Sequence, residues 1–478
     1  MLKSCSVNFF KNGTNKILFR AASKDVVKSA ESHMKAQTAS QTLPGAYTLG
    51  NDLRVACFTN DSEISSTAIH VEAGTRNETS ETNGVSNLIA RLAGKGTSSS
   101  KFEDMQMKLS KLGASLDVNV TRETTSFVVT GFSKDALQHA EIVSDVVKNS
   151  VFDENAIMKE RDAILTDIER NLDNLPQITM DYLYSVAFEG TPMSNPLTGS
   201  TSNVESLARK DIMQFIKHNY KAPRMILTTV GGQVDLDKLA DAAEKNLGDV
   251  SADFEHATGY PQPCRFTAME VQHRDDDLPL AHVAMGFNGC SYNSPDRIPL
   301  MLLAEIMGAH DKSHGGLAQG LNKMGAVTQN PETGLYSIRP FAHFYSDCGL
   351  FGTHYVADAD NLYDTGLYIC HFLRDQCLNM IDSSLARAKR SLKRKLIEDM
   401  YSLPALQGKM AQDIFFGPGR PVSLEETVSE LESLSVDQVQ DVGVEYIRDQ
   451  EFARAAYGPT EGVFDYNQSM DALRGLRW

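Results

Sequence analysis

Ala73-Gly74-Thr75-Arg76, followed by Asn83-Gly84-Val85-Ser86-Asn87-Leu88-Ile89-Ala90-Arg91-Leu92-Ala93-Gly94-Lys95-Gly96-Thr97, is the stretch on which the reading of this chain turns. Val85, Leu88, Ile89 and Leu92 fall at i, i+3, i+4 and i+7, the spacing that places four apolar side chains on one face of a helix. Asn87 and Arg91 stand one turn apart on a neighbouring face with Ala90 beside them, in the positions from which a helix would present metal ligands.

Around this segment the chain of 478 residues exceeds the roughly 250–300 residues that one hydrophobic core supports, so more than one domain is expected. Its two halves echo each other. Lys111-Leu112-Gly113-Ala114 returns as Lys323-Met324-Gly325-Ala326, each ahead of a β-rich run (Thr125 to Thr130, Phe351 to Val356) and then a helical pattern (Ala136 to Val147, Leu362 to Leu373). Val204-Glu205-Ser206-Leu207 returns as Leu431-Glu432-Ser433-Leu434, each before an amphipathic helix ending in Tyr220 or Tyr446 and a strand closing on Gly231 or Gly458. Four matches in one order indicate a duplicated, domain-sized unit. The expected division is 45–255 and 265–478, joined by 256–264 around Gly259-Tyr260-Pro261-Gln262-Pro263. Strands and long helices mix without strict βαβ alternation, which predicts an α+β fold with helices packed on one sheet face.

Composition narrows the function. Hydrophobic residues make up 41% and charged residues 23%, an ordinary globular balance, and the formal charge is -16. That charge argues against nucleic acid, whose readers carry a basic face. No run approaches the ~20 apolar residues of a membrane-spanning helix, so contact with a membrane would go through partner proteins. Cys5, Cys57, Cys264, Cys290, Cys348, Cys370 and Cys377 are scattered, which suggests neither a disulfide framework nor a thiolate zinc site but buried or idle thiols. Residues 1–24 carry Lys3, Lys11, Lys16, Arg20 and Lys24 with no acid before Asp25. Such a basic, acid-free start has the composition of a mitochondrial presequence, and the segment 1–40 is expected to contain one, with its cut unplaced.

Asn83-Gly84 through Lys95-Gly96-Thr97 resembles the zinc-binding window of the mitochondrial processing peptidase family, related to pitrilysin, whose members read Asn-Gly-x-x-His-x-x-Glu-His followed closely by Lys-Gly-Thr. The framework matches and the ligands do not: the first His falls on Asn87, the catalytic Glu on Ala90 and the second His on Arg91. The family's third ligand, a Glu just after a Glu-Arg-x-x-Ile-Leu run, falls on Asp167 after Glu160-Arg161-Asp162-Ala163-Ile164-Leu165. Catalytic zinc needs three protein ligands, an open position and a base for its water. Asn is a poor ligand, Ala offers none, and Arg91 sets a permanent cation where the metal would sit. The expectation is therefore no catalytic residue, no metal and no cofactor, with Arg91 paired to Asp167 in the vacated site.

The second half carries further likeness to the β-type branch of that family, which contains the processing-peptidase β-subunit and core protein 1 of respiratory complex III. The matching runs are Pro263-Cys264-Arg265-Phe266-Thr267, His273 to Pro279, Ala281-His282-Val283-Ala284, Tyr345 to Leu350, and the tail Tyr457-Gly458-Pro459, Asp465-Tyr466-Asn467 and Leu476-Arg477-Trp478. The resemblance implies two homologous domains facing each other as a clam-shell. It implies a non-catalytic core subunit of ubiquinol-cytochrome c reductase, peripheral on the matrix side of the mitochondrial inner membrane. Core protein 2, cytochrome b, cytochrome c1 and the Rieske protein would be its partners, with a presequence peptide as a further one. The alternative it implies is a β-type processing subunit that binds basic presequences with little or no zinc-dependent proteolysis.

Two other segments concentrate chemically active side chains. His310 and His314 have i, i+4 spacing, but Gly315-Gly316 indicates a turn, and no third ligand is in view. Arg387, Lys389, Arg390, Lys393, Arg394 and Lys395 form a basic cluster on a helix after Asp382-Ser383-Ser384, either a solvated face or a contact for acidic partners or lipid headgroups.

Overall fold

Ile64–Val71 alternates Thr67, Ile69 and Val71 with Ser66, Ala68 and His70, and all six are buried. A strand covered on both faces belongs inside a sheet with a layer on each side. A computed structural model, which describes residues 45–253, 263–313, 324–325 and 334–475, shows how both layers arise. The first sheet contains β1 (Gly45–Thr48), β2 (Arg54–Phe58), β3 (Ile64–Val71), β4 (Ser115–Val120), β5 (Thr125–Phe132) and β6 (Met225–Val230), in the order β1-β2-β6-β3-β5-β4. The second contains β7 (Glu270–Arg274), β8 (Ala281–Gly289), β9 (His310–Asp311), β10 (Leu335–Phe344), β11 (Gly349–Ala357) and β12 (Phe452–Gly458), in the order β7-β12-β8-β11-β10-β9.

The duplication read from short echoes is present in the topology. Each sheet has one parallel pair, β2 with β6 and β7 with β12. The rest run antiparallel through equivalent strands, β6-β3-β5-β4 and β12-β8-β11-β10. Helices cover the outer face of each sheet. Ile69, Val71, Phe127 and Val129 pack with Val143 and Val147 of the Ala136–Asn149 helix and Leu239 and Leu247 of the Leu236–Leu247 helix. Met285, Phe287, Phe351 and Phe452 pack with Leu303 of the Arg297–Met307 helix and Ile369 of the Leu362–Leu378 helix.

The inner faces are filled by exchange. The Leu175–Ala187 helix of the first half lays Leu183, Tyr184 and Ala187 on Ala284, Leu350, Ala453 and Ala455 of the second sheet. The Leu403–Phe415 helix of the second half lays Leu406, Met410 and Ile414 on Ala56, Phe58, Ile226 and Val230 of the first. Both helices open on Leu-Pro, where the missing N–H of proline costs no intrahelical bond. Small residues let the helix approach: a Cβ on Gly286 would come within 3.3 Å of Leu183 Cδ2 and 3.0 Å of Leu350 Cδ1. The two halves thus close on one another as a clam-shell in which each valve holds a helix of the other. Among the described residues no helix is long and apolar enough to cross a membrane. The expected presequence at 1–40, residues 256–262 of the joining segment, and the Leu476-Arg477-Trp478 tail lie outside the described residues.

Candidate functional site

The Val85–Leu92 helix forms as its apolar spacing predicts, with Val85, Leu88, Ile89 and Leu92 at 0–3% exposure. It begins at Gly84, whose φ of 99° is left-handed and whose added Cβ would meet Val204 Cγ2 at 3.1 Å, so only glycine fits that entry. Glu78 closes the helix start. Its carboxylate accepts the N–H groups of Gly84 (2.9 Å) and Ser86 (2.8 Å) and the amide of Asn83 (2.8 Å). A carboxylate there satisfies the orphan donors of the first turn and complements the positive end of the helix dipole.

Burial pushes the Glu78 carboxyl up to about 7, although the N–H groups of Gly84 and Ser86 and the Asn83 amide pull it down. The folded protein therefore holds this proton between the unfolded value near 4.5 and about 7. The resulting contribution to stability is fully present at low pH and is lost as pH rises through that window. Relative to Glu78→Gln, which cannot titrate, wild-type stability should fall by up to roughly 3 kcal/mol between pH 4 and 8. Parallel pH profiles for the two proteins in urea denaturation would contradict this assignment.

Asn87, Ala90 and Arg91 face a cleft of about 410 Å³ whose far wall is Leu116, Val118, Asn119 and Val120 of edge strand β4, with Leu197 and Thr198 closing one end. Asp167 comes from the Glu154–Asn171 helix, and Arg91 Nη2 donates to its Oδ2, the pairing that charge alone suggested. Asp167 also has Arg170 Nη1 at 3.8 Å, and Lys95 bridges to Glu160 of the same helix at 3.1 Å. Asn87 Nδ2 donates to the Thr198 carbonyl at 3.4 Å. Three of the four positions singled out in the sequence therefore line one cleft, and the fourth, Asp167, is joined to them through Arg91. As a zinc site their chemistry does not fit: a single carboxylate is held by two guanidinium groups, and neither a second strong donor nor a base stands on the helix. Among the described residues, no group of three or more His, Cys, Asp or Glu side chains converges on this cleft.

The remaining sequence candidates resolve differently. Ahead of the turn expected at Gly315-Gly316, His310-Asp311 forms a short edge strand: His310 pairs with Ile338 and Asp311 with Ser337 of β10, and His310 is buried. Backbone pairing with a long neighbouring strand recruits these two residues into the sheet; His314 and Gly315-Gly316 lie outside the described residues. The basic cluster is largely spent within the chain. Lys389 donates to the carbonyls of Glu432 (3.0 Å) and Leu434 (2.6 Å), Lys393 pairs with Glu432 and Lys395 with Glu305, Arg394 pairs with Glu398, and Arg387 reaches the Ile306 carbonyl.

One constellation, built from two segments far apart in the chain, has no signature in the sequence. Arg76, with 2% of its side chain exposed, donates to Glu123 (2.6 Å) from the first half and to both oxygens of Asp347 (2.7 Å each) from the second. Ser346 completes the cluster with its N–H and hydroxyl on Glu123. Burial works against the Arg76 cation, but the hydrogen bond to Asp347 and the nearby negative charges raise its pKa above the usual value. The Asp347 carboxyl, lifted by burial, is held below its ordinary range by Arg76 and by the Cys264 N–H. Nearby, Tyr184 donates or accepts at His343 Nδ1 (2.6 Å) and Tyr345 (2.7 Å), under the Arg122 guanidinium 3.8 Å from its ring centre. These contacts tie the halves together by charge as the exchanged helices do by packing.

Residues 54–201 match the insulinase-type peptidases, family M16, and residues 206–392 match the M16 inactive domain. Cytochrome b-c1 complex subunit 1 of Mus musculus is 32% identical over 431 residues, covering 90% of this chain and 89% of that protein, and the Homo sapiens protein is 32% identical over 434 residues with the same coverage. Mitochondrial-processing peptidase subunit beta of Mus musculus is 30% identical over 430 residues, covering 90% of this chain and 87% of that protein. A chain of complex III2 from Candida albicans, Inz-5 bound, shares the fold with a TM-score of 0.79 at 23% identity, covering 90% of this chain and 99% of that one. With its duplicated sheets and its site helix, the chain belongs to peptidase family M16.

Proposed function

We propose that this chain is a non-catalytic M16 subunit of the cytochrome b-c1 complex, supporting the assembly and stability of ubiquinol-cytochrome c reductase. The observation that carries the non-catalytic part is the Arg91–Asp167 pair, which occupies the place where a family zinc ion would need two strong donors and a free carboxylate. The likeness to cytochrome b-c1 complex subunit 1 over nine-tenths of both chains supports the assignment to that complex. On this reading residues 1–40 carry a removable mitochondrial presequence, and 45–255 and 265–478 are the two domains, joined by 256–264. The protein sits peripherally on the matrix side of the inner membrane, against core protein 2, cytochrome b, cytochrome c1 and the Rieske protein.

The formal charge of -16 also favours a second reading, in which the chain holds basic presequences without cutting them. Incubation of the purified chain with a basic presequence peptide and zinc tests the non-catalytic reading. No cleavage is expected, and cleavage abolished by a chelator would overturn it.

A further inference from the structure

Away from the cleft, the Sγ atoms of Cys264 and Cys348 and a carboxylate oxygen of Asp347 lie within 4.8 Å of one another. Two thiolates and a carboxylate would suit a soft metal ion. Arg76, however, already takes both oxygens of Asp347, at 2.7 Å each, and sets its positive charge against an incoming cation. What remains is a pair of neighbouring sulfurs next to a carboxylate that is already engaged, a setting that suits thiol–disulfide chemistry better than metal binding.

The two cysteines differ in access. Cys348 is buried, whereas Cys264 is half-buried and lines an open surface cleft of about 730 Å³. That cleft also carries Glu445, Asp449 and Glu451 against the single cation of Arg265, a net negative charge that disfavours anionic oxidants such as glutathione disulfide and admits a neutral one such as hydrogen peroxide. The neighbouring Cys264 sulfur, together with burial, holds the Cys348 thiol protonated well above its usual range, which suits Cys348 to act second.

We propose that Cys264 and Cys348 form a peroxide-responsive dithiol that closes to a disulfide. The Cys264 thiol releases its proton, its sulfur attacks one peroxide oxygen and the O–O bond breaks, giving a sulfenic acid at Cys264 and a hydroxide that takes up that proton as one water. Cys348 then attacks that sulfur; the S–S bond forms, the S–O bond breaks, and the hydroxyl leaves as a second water with the Cys348 proton. Each sulfur gives up one electron, and the peroxide takes two. The cross-link joins the start of the second half to the β10–β11 turn, directly behind the Arg76–Asp347 contact between the halves.

The test treats the full-length, reduced protein with hydrogen peroxide, alkylates remaining thiols under denaturing conditions, and maps peptides without reductant. The expected result is a Cys264–Cys348 cross-link that dithiothreitol reverses, about ten-fold more abundant than any other cysteine pair, with Cys57, Cys290, Cys370 and Cys377 still alkylated. In Cys348→Thr, Cys264 should instead accumulate as a sulfenic acid that dimedone traps. Oxidation of Cys264 to its sulfinic acid without a cross-link, full alkylation of both cysteines after peroxide, or stoichiometric zinc protecting the pair would each overturn the proposal.

Discussion

Arg76→Met should lower the stability of the folded chain by about 3–5 kcal/mol, the cost of stranding a buried carboxylate without its cation. Glu123 is the reason. Its side chain is only 7% exposed and depends on Arg76 and Ser346, so removing the guanidinium leaves a charge that water does not reach. Asp347, at 37% exposure, can recover hydration, and Asp347→Asn should cost about 1 kcal/mol. Pairing Arg76→Met with Glu123→Gln should restore much of the loss, because a neutral amide does not need the cation. Urea denaturation followed by circular dichroism reads all four proteins. A loss below 1 kcal/mol in the single Arg76 variant would show that the cluster is solvated and that the halves are held by their exchanged helices alone.

Zinc should return when its ligands do. The quadruple change Asn87→His, Ala90→Glu, Arg91→His and Asp167→Glu rebuilds the family's ligand set on a helix pair that is already in place, with Val85, Leu88, Ile89 and Leu92 anchoring one side and the Lys95–Glu160 bridge beside it. One zinc per chain is the expected stoichiometry by atomic emission after dialysis, against none for the wild type. The four changes touch half-exposed positions, so the fold should tolerate them. A quadruple variant that folds but takes up no zinc would mean that the two helices have drifted from the ligand geometry of the family.

How far the sequence could be read depended on the range of the interaction. The Val85–Leu92 helix was legible because apolar spacing is a local property, and the duplication because equivalent strands carry equivalent residues at equivalent places. The pairing of Arg91 with Asp167 could be reached through the aligned ligand positions. The helix exchange could not. Leu175-Pro176 and Leu403-Pro404 announce two helix starts, but nothing in a one-dimensional pattern states that each helix crosses to the other half's sheet. Arg76 and Asp347 stand 271 positions apart, and a buried arginine in a single 3₁₀ turn has no local signature that distinguishes it from an exposed one. Cys264 and Cys348 likewise read as unrelated thiols until the fold brought their sulfurs together. The short strand at His310-Asp311 was equally hidden, since two residues carry no alternation of their own and are held in the sheet by the neighbouring β10 strand.

Isolation of the native protein from detergent-solubilised mitochondria, with an absorption spectrum of what accompanies it, tests its assignment to the respiratory complex most directly. Cytochromes b and c1 should come with it in fixed proportion through gel filtration, and the preparation should oxidise ubiquinol and reduce cytochrome c. A soluble two-chain complex without haem would contradict that assignment and place the chain in a processing heterodimer instead.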